Sequence, residues 1–307
     1  MHGLLEEIFS TIELTGCVYF ERHFCAPWAM EVRAGDMAQF HLIVEGSAIV
    51  EHAAGRWRLG AGDLALFPRG AAHTLADRPG RATIPGSEVV ARLAVGQPVF
   101  AAGGAATRLV CGHYDYARPC LHPLVTDLPE GMVLSLGPDQ PRHGERRVLD
   151  MLIEECGEHE PGGSSVVRRL SEVLLIQLLR RHYADHPHQT GFMAGVMDHR
   201  LTRAIWRIHR DYPRPLTVAE LASGAGMSRS GFADRFREKT GLAPIEYLTR
   251  WRMTVACRKL RDPRISVAEV AAGCGYESDV AFMRAFRRAL GMTPAQYRKQ
   301  QVTESAA

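Results

Sequence analysis

The sequence predicts an α+β, multidomain protein: a small N-terminal β-barrel with accompanying helices, then an all-α C-terminal domain. Three observations predict it. Between about residue 10 and 115, short apolar runs alternate with Gly- and Pro-bearing turns, the rhythm of strands in a small barrel or sandwich. From 145 the apolar spacing changes to three and four residues, which is helical. From 198 onward one structural unit is written twice.

The elements follow in order. "QFHLIVEG", "SAIVEH", "RWRL", "DLALF" and "TRLVCGHY" read as strands, separated by pieces such as "AAGR", "GAG" and "DRPGRATIPGS". "LTGCVYFERH" is a further candidate strand. These place the barrel in residues 1–140. Residues 141–185 read as a helical segment. Val148, Leu149, Leu152 and Ile153 form one stripe, and Val166, Leu170, Val173, Leu174, Gln177 and Leu178 form another. Two roles stay open for that segment: packing on the barrel, or pairing two copies as a homodimer, with polar Gln177 interrupting the seam. Residues 186–197, in "HYADHPHQTGFMAG", mix His, Pro and Gly without periodicity and read as a linker. Residues 198–307 look helical throughout.

At 307 residues and 46% apolar content the chain has room for two or three ordinary cores. No stretch approaches the ~20 apolar residues that span a membrane. "MHGLLEEIFSTIEL" carries acids where a signal peptide needs bases. Seven cysteines without a CxxC pair argue for reduced thiols rather than a secreted disulfide framework. The expectation is a cytoplasmic protein with no membrane partner. The net charge of +3 hides an asymmetry: residues 198–307 hold 20 bases against 11 acids, and residues 1–197 hold 17 against 23. One basic domain on an acidic body suggests a polyanion partner for that domain alone.

The repeat specifies that partner. "LTVAELASGAGMSRSGFADRFREKTGLAPIEYL" begins at 216 and "ISVAEVAAGCGYESDVAFMRAFRRALGMTPAQYR" at 265. Each opens with an N-cap, Thr217 or Ser266, and a short helix ending at a glycine pair. Ser228 or Ser278 then caps a second helix, the order of a helix-turn-helix. Phenylalanines at i and i+4 bury one face of the second helix. The opposite face is left to Arg229, Ser230, Ala233, Asp234 and Arg237 in the first unit. In the second it is left to Asp279, Val280, Met283, Arg284 and Arg287. "PIEYLTRWRMTVACRKLRD" joins the units as a helix of roughly 28 Å. That length suits two recognition helices one duplex turn apart.

The second unit closely resembles the signature of the AraC/XylS family of bacterial transcription regulators, over about residues 198–300. The resemblance implies base-reading positions at Ser230, Ala233 and Asp234, and at Asp279, Val280 and Arg284. Ala233 has no hydrogen bond to give and Asp234 repels phosphate, so Arg284 is the strongest reader, bidentate to a guanine edge. Arg229, Arg237, Arg287 and Arg288 suit phosphates. Double-stranded DNA is the expected partner. The resemblance further implies RNA polymerase as a partner, and activation rather than repression.

"GDLALFPRGAAH" (62–73) resembles the second motif of the cupin barrel through Gly62, Pro68, Gly70 and His73, with Asp77 where asparagine is usual. The first motif normally gives two histidines and a glutamate. Here "QFHLIVEG" offers Gln39, His41 and Glu45, so one ligand is missing. The motif therefore marks a barrel rather than an enzyme. The resemblance of region 10–190 to the cupin-type sensing domain of such regulators implies that it senses a small molecule, a metal or an oxidant. A small-molecule or redox effector is then the partner of this unit. The alternative is a metal-dependent cupin isomerase or dioxygenase fused to a DNA-binding domain. His41 and His73 occupy interior motif positions, and alternation places Leu109, Cys111 and His113 on one strand face. With Cys17 they make a candidate zinc or thiol-sensing set: His41, His73, Cys111, Cys17. The competing expectation is that the histidines hydrogen-bond within the barrel and the cysteines pack.

Overall fold

A computed structural model describes residues 2–12, 14–115, 122–136, 143–158, 162–186 and 190–305. They form two units. One is the β unit, with strands β1 (Thr15–Cys25), β2 (Ala29–Val32), β3 (Ala38–Glu45), β4 (Ser47–His52), β5 (Gly55–Gly60), β6 (Asp63–Phe67), β7 (His73–Ala76), β8 (Ile84–Pro85), β9 (Ala106–Asp115) and β10 (Met132–Ser135). The strands form two five-stranded sheets, β1-β9-β3-β6-β10 and β5-β4-β7-β2-β8. The expected barrel is thus cupin-like but not closed: each sheet keeps two edges.

Alternation along the strands fills the space between the sheets. Phe20, Ile43, Ala65, Phe67, Leu109 and Cys111 from the first sheet meet Met30, Val50, Leu59 and Leu75 from the second in one buried cluster. The register sets His41 opposite both Cys111 on β9 and Ala65 on β6. Gly70 turns the chain from β6 toward β7 at φ +67°, where a Cβ would strike the Gly35 carbonyl, which accounts for the motif glycine. Helix α2 (Gly86–Ala94) begins inside the expected separating piece "DRPGRATIPGS" and runs on beyond it.

The helical segment of this unit is α4 (His143–Glu158) and α5 (Gly163–Asp185). The predicted α5 stripe divides. Leu174 and Leu178 are fully buried, while Val166 and Val173 are each 42% exposed.

The other unit is helical and draws on more of the chain than its C-terminal third. It contains α1 (His2–Ile12), α3 (Pro123–Thr126), α6 (Phe192–Met197), α7 (Leu201–Asp211), α8 (Val218–Gly224), α9 (Arg229–Thr240), α10 (Pro244–Leu260), α11 (Val267–Gly273), α12 (Asp279–Leu290) and α13 (Pro294–Ser305). This differs from the expected boundaries of 1–140 and 198–307. Leu4, Ile8 and Ile12, one turn apart, are buried and α1 packs on α10. The expected linker 186–197 holds α6, whose Phe192 and Val196 are core residues. Asp198 then pins the start of α7: it accepts from the Leu201 amide at 3.1 Å and pairs with Arg235 at 2.7 Å. No helix among the described residues is long and apolar enough to cross a membrane.

Candidate functional site

The two halves of the repeat build the same object. Thr217 and Ser266 cap α8 and α11 in reciprocal capping boxes with Glu220 and Glu269. Gly226 and Gly275, at φ +65° and +79°, make the left-handed turn into the second helix. Ser228 and Ser278 accept from the amides of Gly231 and Ala281, opening α9 and α12. Phe232 and Phe236, like Phe282 and Phe286, are wholly buried, with ring centroids 5.6 Å apart in both pairs. Two phenylalanines at i and i+4 fix which face of each helix turns outward.

That outward face carries the predicted residues. Arg229, Ser230, Asp234 and Arg237 are exposed on α9 and Ala233 is half-buried; Asp279, Val280, Arg284, Arg287 and Arg288 are exposed on α12. Val280 and Met283 are 56% and 42% exposed, apolar side chains left in water on a helix whose other side is core. Arg229, Arg237, Arg284, Arg287 and Arg288 make no ion pair among the described residues, whereas Arg235 on the inner side is tied to Asp198. Unneutralised guanidinium groups on an exposed helix face are what phosphates and guanine edges recruit. α10 packs against both α9 and α12, so one 17-residue helix, about 26 Å long, carries both reading helices.

In the β unit, His41, His73 and Cys111 come together. His73 Nδ1–H donates to the Ala71 carbonyl at 2.7 Å, because a carbonyl only accepts. Neutral His73 therefore offers a lone pair at Nε2, and His41 Nε2–H donates to it across 2.8 Å. His41 Nδ1 is left as an acceptor, and the Cys111 thiol donates to it at 3.0 Å. Burial, reinforced by the neighbouring His73, holds His41 well below the usual imidazole range; burial brings His73 down to about 4 against the opposing Ala71 bond. Burial also pushes the Cys111 thiol well up. The three groups form a neutral chain with each contact satisfied.

A zinc ion needs its ligands' lone pairs to converge on one point. His41 turns one nitrogen to His73 and the other to Cys111, so thiol and second imidazole lie on opposite sides of its ring. Cys17 is exposed, opposite His113 rather than His41 in the β1–β9 register. Among the described residues no three His, Cys, Asp or Glu side chains are placed to hold a metal. The four-residue set expected from sequence does not fit a zinc site in this arrangement, and Cys17 is not part of the cluster. Glu45, the first-motif glutamate, is exposed and pairs with Arg108 at 3.4 Å. Asp77 replaces the usual asparagine for a visible reason. It accepts from the Trp28 amide at 3.0 Å and takes Arg81 in two bonds of 2.9 and 2.8 Å, which hold its carboxyl below the ordinary range.

Residues 4–184 match the cupin family, and residues 221–300 match a helix-turn-helix domain family. An AraC-like transcription regulator of Streptomyces lividans is 33% identical over 89% of this chain and 90% of its own length. This chain belongs to the AraC-like transcription regulators. A second AraC-like regulator, from Streptomyces antibioticus, is 34% identical over 89% of this chain and 90% of its own. Among solved structures, the DNA-binding domain of AdpA in complex with a target DNA is 38% identical, covering 34% of this chain and 94% of that one at a TM-score of 0.33.

In this AraC-like regulator, sequence reasoning passed over one buried polar cluster. Tyr247 on α10 donates to His209 Nε2 at 2.6 Å and receives His122 Nε2 at 3.3 Å. His122 Nδ1 accepts the Leu124 amide at 3.1 Å, which fixes the ring proton on Nε2. Burial drives His122 down to about 3; burial, then the neighbouring His122, drives His209 well down. His122 is an isolated histidine in unpatterned text. His209, by contrast, falls on the buried stripe Leu201, Ala204, Ile205, Ile208 of α7, a period that marks its burial but not its partner.

Proposed function

We propose that this DNA-binding transcription regulator lays α9 and α12 in two successive major-groove segments of one duplex. Arg284 reads a base there, and Arg229, Arg237, Arg287 and Arg288 hold phosphates. The observation that carries the reading is the duplicated outward face: the same capped helix, twice, with exposed arginines that make no ion pair among the described residues, on one joining helix. The cupin unit is the sensing part, for a small-molecule or redox effector, and the sign of regulation is activation. RNA polymerase contact accords with that sign. Exposed Val166 and Val173 with half-buried Leu170 between them on α5 support pairing of two copies, and polar Gln177 ends that row. The buried, neutral His41–His73–Cys111 chain supports a packed interior rather than a metal-dependent reaction.

The test is a binding-site substitution series. Arg284→Ala is expected to cost about 1–3 kcal/mol at one base pair and to relax preference there. Arg287→Ala is expected to weaken all sequences alike. An Arg284→Ala protein that loses affinity uniformly, with base preference intact, overturns the assignment.

A further inference from the structure

α9 and α12 share their cap, their turn and their buried phenylalanines, but not their outward faces. On α12, Val280 and Met283 stand three residues apart at 56% and 42% exposed. Arg284 follows Met283 directly and lies one turn on from Val280. The equivalent positions of α9 hold Ser230, Ala233 and Asp234. Helix α9 packs on its own pair of buried phenylalanines without large apolar side chains at those positions. The fold therefore does not require Val280 and Met283 to be apolar. A single exposed apolar residue is ordinary. Here two share one short stretch of face with Arg284, Arg287 and Arg288, which make no ion pair among the described residues. Guanidinium groups around the apolar pair repel a second copy of the same face and favour a polyanion.

We infer that Val280 and Met283 take the C5-methyl group of a thymine in the major groove, within about two base pairs of the guanine read by Arg284. The inference rests on the DNA reading of α12 given above and adds a second base to it. Thymine is the one base whose major-groove edge carries an apolar group. An adenine or cytosine edge would set an amino group against Val280 or Met283 and leave that donor without an acceptor. Guanine would leave its acceptors unpaired in the same way. Val280 lies in the first turn of α12, the end of a recognition helix that reaches base edges. From Val280 to Arg284 the helix advances about 6 Å, close to two base steps of ~3.4 Å. α9 lacks the larger apolar pair, so this thymine selectivity belongs to the α12 half of the binding site.

The probe is a duplex enriched from a random pool by the full chain. Each of its thymines is replaced singly by deoxyuridine, which removes the methyl group and leaves base pairing intact. One or two of these replacements are expected to weaken binding about threefold to fivefold per methyl. They are expected within about two base pairs of the guanine whose preference is lost in Arg284→Ala. The double variant Val280→Ser/Met283→Ala carries the residue types of α9 at these positions and is expected to bind thymine and deoxyuridine alike there. Both residues are exposed, and an unchanged urea midpoint verifies the fold of the variant. Indifference of the wild type to every thymine methyl overturns the inference, as does a deoxyuridine penalty undiminished in the double variant. A double variant that binds every duplex as the wild type does assigns the apolar pair to a protein partner and overturns it as well. These three outcomes leave the DNA reading standing. If no duplex is enriched, the DNA reading falls and the inference falls with it.

Discussion

His41 Nε2 lies 2.8 Å from His73 Nε2, two imidazoles sharing one proton between them in a site closed to water. Neither ring holds a second proton without breaking a contact: His41 would lose its bond from Cys111, and His73 its bond from His41. The cupin motif has here become a hydrogen-bonded strut across the two sheets, from β9 through β3 to β7.

The strut and the buried His122–Tyr247–His209 cluster make stability depend on pH. His41, His73, His122 and His209 all bind protons less readily folded than at the usual imidazole value of 6.5. Depressed values mean that the stabilisation is complete above pH 6.5 and is lost as the pH falls from there through the folded values. Those are about 4 for His73 and about 3 for His122. Below pH 6.5 each such histidine steepens the loss by up to ~1.4 kcal/mol per pH unit. Urea unfolding at pH 7, 6 and 5 is expected to show a falling midpoint, with a shallower fall in His73→Phe. A midpoint independent of pH over that range contradicts the buried neutral dyads.

The thiols are expected to separate by exposure. Cys17 is open to solvent and Cys111 is a buried donor, so iodoacetamide is expected to alkylate Cys17 in the folded protein and Cys111 only on unfolding. Peptide mass mapping reads the order. Excess zinc is expected to leave the melting temperature unchanged; one tightly held zinc per chain, lost in His73→Ala, contradicts the hydrogen-bonded account.

Caps of the reading helices are expected to matter equally in the two halves. Ser228→Ala and Ser278→Ala each remove a side-chain acceptor from the first turn of α9 or α12. Each is expected to cost about 1 kcal/mol in urea unfolding. A cost in one and none in the other breaks the equivalence of the repeat.

What was legible in the sequence is what is local. β4 and β6 match the expected "SAIVEH" and "DLALF", because period-two alternation and turn glycines act over a few residues. The repeat disclosed its four caps, its turns and its buried phenylalanines by the same logic. The motif positions of His41 and His73 correctly foretold two buried imidazoles. Which nitrogen faces which neighbour is a matter of ring orientation, and that decided between a ligand set and a chain of bonds. Illegible were the contributions of α1, α3 and α6 to the helical unit. His122 meets Tyr247 across 125 residues, and nothing near either residue encodes the meeting. α2 was hidden behind Pro85 and Gly86, which read as loop though they only open the helix.

The central claim is that two equivalent helices of one chain read one duplex. A hydroxyl-radical footprint of the full chain on its binding site, repeated at rising salt, tests it most directly. Two protected segments about one helical turn apart are expected, with affinity falling steeply as salt displaces arginine from phosphate. A single protected segment, or affinity indifferent to salt, contradicts it.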